Sequence, residues 1–180
     1  MSTKGMVSAA AIAALVLSAV GTSASGQGRG RGKRQFSAQL HGYNEVPAIS
    51  TTGKGTLRIK VARDGSSIEY ELDYRDLEGG DILQAHIHLG DTHTNGGVSA
   101  FLCTNLEPPM GAPVPPPCVD PGPGPEAEGV ITADWVIGPA GQGIAAGELD
   151  ELIKAIRSRV TYANVHTTMF PGGEIRGKIR

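Results

Sequence analysis

The stretch LQAHIHLGDTHTNGG, residues 83–97, carries three of the chain's five histidines within eight positions. Successive side chains of a strand point to opposite faces, so a strand here sets His86 and His88 on one side and Ala85, Ile87 and Leu89 on the other. The two histidine Cα atoms then lie about 7 Å apart, a spacing from which both rings reach one metal ion. A third ligand has to come from another strand. In TYANVHT, residues 161–167, Ala163, Val165 and Thr167 share one parity, and Tyr162, Asn164 and His166 share the other. If the first set faces the core and this strand neighbours AHIH, His166 joins His86 and His88. His93, in the turn-like GDTHTNGG, is a candidate fourth ligand, and His41 a more distant one. Imidazoles without thiolates suit copper or zinc, whereas calcium and magnesium take oxygen ligands. Surface histidines on a polar strand face also serve cross-strand hydrogen bonds or a protein interface, and spacing alone does not separate the two readings.

The elements that would position these groups are short alternating runs broken by Gly, Asp and Asn. They predict strands at 35–40, 55–62, 66–74, 83–90, 98–103, 128–135, 160–167 and 173–180, with RDGS between the second and third as a hairpin turn. This is the grammar of an all-β antiparallel sandwich. One helix is expected, over 146–159: Leu149, Leu152, Ile153 and Ile156 form an apolar stripe, with acids in the first turn and bases in the last. It is expected to be peripheral to the strands, with Trp135 packing where it meets the sheet.

The 180 residues bound one domain plus a leader. Residues 1–26 pair an early charge, Lys4, with an apolar run from Met6 to Val20 and small residues near Ala24. That pattern predicts a secretory signal, and the run is shorter than the ~20 residues of a membrane-spanning helix. Without it, 15 basic and 18 acidic side chains leave a formal charge of −3, and no basic field for nucleic acid. RGRGKR, within a 27–34 tail, reads as solvated. An exported chain meets an oxidising compartment, so Cys103 and Cys118 are expected to pair and staple a Pro-rich loop over 104–127. GQGIAAG, residues 141–147, lacks the βαβ setting of a dinucleotide site. No serine sits in a nucleophile elbow, and Asp150 and Glu151 point apart on the helix, which disfavours a hydrolase. Glu45 reads as a turn cap or a carboxylate orienting a metal-bound histidine, and Glu174, which shares the polar face of its strand with Arg176, as one half of a cross-strand salt bridge.

LHGYNEVPA, AHIHLGDTHTNGGVSAFLC and the run from ITADW to GEIRGKI closely resemble the CHRD domain, the module named after chordin and found in exported microbial proteins. The resemblance covers about residues 35–180. In chordin the domain belongs to an extracellular antagonist of growth-factor signalling, which implies a binding module with an extracellular protein partner. AHIH is also similar, more loosely, to the strand motif of copper-zinc superoxide dismutases. That similarity implies His86, His88 and His166 as copper ligands, with Arg176 a candidate for the arginine over the copper. No bridging histidine with a zinc-site carboxylate accompanies them, so the similarity speaks more for metal binding than for catalysis. The expectation is a secreted, periplasmic or envelope-associated binding module holding copper or zinc. Its rivals are a copper-dependent dismutase-like enzyme and a metal-free structural or adhesive module.

Overall fold

The computed structural model describes Met1 and residues 32–91, 93–108 and 110–180. Apart from Met1, the expected signal lies outside the described residues, as do residues 27–31 of the tail.

Among the described residues eight strands follow in chain order: β1 (Gln35–His41), β2 (Lys54–Val61), β3 (Ile68–Arg75), β4 (Ile82–Leu89), β5 (Gly97–Thr104), β6 (Ala127–Ile131), β7 (Thr161–Thr167) and β8 (Ile175–Lys178). A helix, α1 (Leu149–Arg157), precedes β7. The strands form one sheet in the order β5-β4-β7-β8-β1-β2-β3-β6, and every pairing is antiparallel. The sheet curls until its ends approach: the Tyr70 hydroxyl of β3 donates to the Leu102 carbonyl of β5 at 2.6 Å. Among the described residues the architecture is the expected antiparallel all-β fold with one α-helix.

Period-2 patterning drives it. β1 alternates exposed and buried along QFSAQLH, sending Phe36, Ala38 and Leu40 inward. These join Leu57, Ile59, Leu72, Ile87, Ile131 and Val165 in one core, where each fully buried large aliphatic stabilises by roughly 1.5–3 kcal/mol. The apolar stripe of α1 closes on the same core through Leu149, Leu152, Ile153 and Ile156.

Several boundaries differ from the pattern. The helix is shorter than 146–159. Gly147, at φ +87, and the Glu148 carboxylate, which accepts the Ala145 N–H, form a turn before it, and Arg159, at φ 61, ends it. β6 stops at Ile131, because Ala133–Trp135 wind into a 3-10 turn in which Trp135 packs half-buried on the core. The end of the basic tail meets the sheet: Lys33 stays exposed with its ammonium 5.1 Å from the Phe36 ring centre, and the Arg34 carbonyl accepts the Val61 N–H.

The predicted disulfide joins Cys103 to Cys118. The loop it closes is further tied by Asn105, whose side chain donates to the Ile82 and Cys118 carbonyls and accepts the Cys118 N–H.

Candidate metal centre

The site is built where β4 pairs with β7. Ala85, Ile87, Ala163 and Val165 face the main core. The opposite parity places His86 across from Asn164, His88 across from Tyr162, and His166 diagonal to His86, across from Gln84. The register therefore gathers His86, His88 and His166, which offer ligand atoms all within 4.8 Å of one another. On the β5 side, two register shifts flank His86 and His88, irregularities of the kind that re-aim side chains. Phe101 stands edge-on to His86 at 4.5 Å.

These are not surface histidines. His86, His88 and His166 are 3%, 7% and 6% exposed. The face that alternation assigns to solvent is roofed by connections. The turn after β4 is held by Arg176, which donates to the Thr94 carbonyl and Asn95 Oδ1, and by Asn95, which donates to the Val46 carbonyl. The segment after β7 brings the Pro171 carbonyl to His166. β4 and β7 are thus covered on both sides.

Hydrogen bonding sets the tautomers. A carbonyl oxygen only accepts, so the ring nitrogen facing it carries the proton. His88 Nδ1 lies 2.9 Å from the Gly96 carbonyl, and His166 Nδ1 lies 2.9 Å from the Pro171 carbonyl. In the neutral rings both Nε2 atoms are then lone pairs. His166 Nε2 faces His86 Nδ1 at 3.2 Å and Asn164 Oδ1 at 3.0 Å. The Nε2 atoms of His86 and His88 are buried without a hydrogen-bond partner. Burial pushes His86 from the ordinary 6.5 down to about 2, helped by the neighbouring histidines, and pushes His88 down to about 4 against the pull of its Gly96 bond. His166 is lowered too, by burial first. All three rings are neutral near pH 7, which is the ligand form.

This donor set fits a metal ion. Two nitrogens bound at about 2.0–2.1 Å in a tetrahedral field lie roughly 3.3–3.4 Å apart, close to the 3.2 Å between His86 and His166. An Nδ1–H turned out to a backbone carbonyl is the usual support of a metal-bound imidazole, and two of the three rings have it. The buried, orphaned Nε2 of His88 is costly unless something satisfies it, and an ion in the cluster would do so.

Gly96 is central to this support. A Cβ there would overlap the Leu89 carbonyl, so only glycine lets the chain pass close enough to present its carbonyl to His88. Its N–H donates to the Tyr162 hydroxyl at 3.1 Å.

Other expected roles are corrected. His93 is exposed in the turn after β4, and His41 is exposed at the end of β1; neither belongs to the cluster. Arg176 is buried, but its guanidinium lies over the Tyr162 ring at 4.1 Å rather than over the histidines, and its Nε donates to Glu45 Oε2 at 2.9 Å. Glu45 therefore orients an arginine and no histidine. Burial raises the Glu45 carboxyl above its ordinary 4.5, with Arg176 opposing the shift. Glu174 makes no cross-strand ion pair among the described residues. It accepts from the Thr51 and Thr167 hydroxyls and the Glu78 and Gly79 N–H groups, closing a buried knot between loops. Gly96 and Pro171 contribute through backbone carbonyls, for which side-chain type gives no signal; TNGG and PGG mark only that turns are there.

Fold and site together define a small antiparallel all-β domain built around a buried three-histidine cluster. Residues 36–179 match the CHRD domain, and the chain belongs to that family. No curated protein and no solved structure matches it significantly, so the likeness to superoxide dismutases rests on the histidine pattern alone.

Proposed function

We propose that this chain is an exported CHRD-domain binding module that holds one copper or zinc ion through His86, His88 and His166. The observation that carries the reading is the convergence of three neutral imidazoles on one small space, two of them, His88 and His166, with an outward N–H bond that leaves the Nε2 lone pair facing the cluster. Nitrogen donors of this kind suit copper and zinc. His88 and His166 supply Nε2, oriented by Gly96 and Pro171, and His86 supplies Nδ1 from beside His166. A bound ion would tie β4 to β7 and add its binding free energy to the stability of the fold. Export is supported by the signal-like leader and by the Cys103–Cys118 disulfide, which suits an oxidising compartment. A binding module also implies an extracellular protein partner, for which the exposed faces away from the cluster are available.

The test is elemental analysis of the full chain, purified without a histidine tag, before and after dialysis against each metal. About one equivalent of copper or zinc, lost in His86→Ala and in His166→Ala, is expected. No retained metal in a folded chain would reject the reading and leave the cluster as a strand-pairing device.

A further inference from the structure

From the charge and number of donors around the cluster, and resting on the metal-binding reading above, we infer that the ion is monovalent copper rather than zinc or divalent copper. The first argument is charge. The three imidazoles are neutral donors, and the next donor in hydrogen-bond reach, Asn164 Oδ1 at 3.0 Å from His166 Nε2, is neutral as well. Among the described residues, no buried carboxylate belongs to the cluster. Glu45 holds Arg176 through Oε2, with its Oε1 buried and unpartnered beside Asn164 and outside the cluster, Glu174 accepts four donors, and Glu126 accepts the Tyr74 and Gly122 N–H groups. No anion in the cluster compensates a cation. The nearest fixed cation, Arg176, stands on the far face of Tyr162, whose near face stacks on His88. For equal radius the Born cost of burial rises with the square of the charge, so a divalent ion incurs about four times the cost of a monovalent one.

The second argument is coordination number. Zinc takes four ligands, and in open three-histidine sites the fourth is water. Here the His88 Nε2 atom is closed to solvent, no fourth titratable ligand belongs to the cluster, and the one further donor in reach is the neutral, weakly binding Asn164 Oδ1. Three nitrogens saturate a trigonal monovalent copper and leave zinc or divalent copper short of a ligand. The proposal concerns binding alone and involves no electron transfer.

The experiment titrates the full chain, without a tag, in an anaerobic chamber with cuprous ion supplied as its acetonitrile complex, so that no reductant reaches the disulfide. Absence of free thiol is checked by thiol titration. Affinities come from competition with a colorimetric cuprous chelator, and zinc and cupric ion are measured in parallel with their own chelators. One cuprous equivalent is expected, held at least ~10³-fold more tightly than zinc and weakened ~100-fold or more in His166→Ala. X-ray absorption should show three nitrogen neighbours. Zinc or cupric ion held as tightly, and lost in the same variant, would overturn the monovalent assignment while leaving the metal site standing. Failure to bind any of the three ions would remove both. His93→Ala, outside the cluster, should leave all three affinities unchanged.

Discussion

The Tyr162 ring lies flat on the His88 ring, with centroids 4.7 Å apart and planes 4° from parallel, at facing positions of β7 and β4. Gly96 links the same two residues: its carbonyl takes the His88 Nδ1 proton and its N–H donates to the Tyr162 hydroxyl. Ring, hydroxyl and backbone form a closed brace around one imidazole. Arg176 covers the other face of Tyr162 and holds Thr94 and Asn95, so the brace extends into the turn that roofs the cluster.

Tyr162→Phe isolates one part of this brace, since the ring is kept and only the hydroxyl is lost. The Gly96 N–H then loses its acceptor, at a cost of about 1 kcal/mol in stability. The Gly96 carbonyl becomes less firmly placed, and metal affinity should fall about tenfold. Denaturant unfolding and chelator competition read the two effects separately. Unchanged affinity would show that the Leu89–Gly96 packing alone positions the carbonyl.

The Glu45–Arg176 pair makes a different demand, because both ions are buried and each is the other's compensation. Glu45→Gln or Arg176→Met alone should destabilise by about 3–5 kcal/mol, as an uncompensated charge is left inside. The double variant should cost clearly less than the sum of the two. A double-mutant cycle by urea denaturation measures the difference, and strict additivity would mean that the two ions do not stabilise each other.

Much of this was legible in the chain itself, for a definite reason. Strand parity is a rigid rule, so AHIH and YANVH show which side chains share a face, whereas the β4–β7 pairing is written in neither strand. What parity cannot say is whether a polar face meets water. Here loops far away in sequence cover it, and the histidines are buried where an open face was expected. Ion-pair partners were equally out of reach. Arg176 selects Glu45, 131 positions away, over Glu174, two positions away, because Glu174 already accepts four hydrogen bonds.

Burying neutral histidines has a consequence in acid. His86 and His88 are depressed to about 2 and about 4 from an ordinary 6.5, so the unfolded chain takes up protons that the folded chain refuses. Their contribution is therefore intact above about pH 6.5 and is lost as pH falls toward those depressed values. At pH 5 the two together should cost about 4 kcal/mol relative to pH 7.5, at about 1.4 kcal/mol per pH unit for each. The apo-protein, followed by circular dichroism in denaturant at a series of pH values, should lose stability over this range. His86→Ala should show a shallower slope. Added metal should move the acid transition to lower pH, since it binds the folded, deprotonated cluster. A flat profile between pH 7 and 5 would mean that the rings accept protons in the folded state.

The disulfide offers a contrasting test, because it sits near the cluster without belonging to it. Cys103 pairs with Ala85, the residue before His86, and its bridge closes a span of 15 residues. Asn105 still ties the two ends through two hydrogen bonds to Cys118, and anchors to the Ile82 carbonyl through a third, when the bridge is absent, so the folded loop should survive in a Cys103→Ser/Cys118→Ser variant. The loss then falls on the unfolded chain, which regains the freedom of an open loop, and should amount to about 3 kcal/mol. Metal affinity should change little, because the carbonyls that orient His88 and His166 belong to other loops. Thermal unfolding and metal competition on the same samples decide the matter. A large fall in affinity with little loss of stability would place the Pro-rich loop among the supports of the histidine cluster.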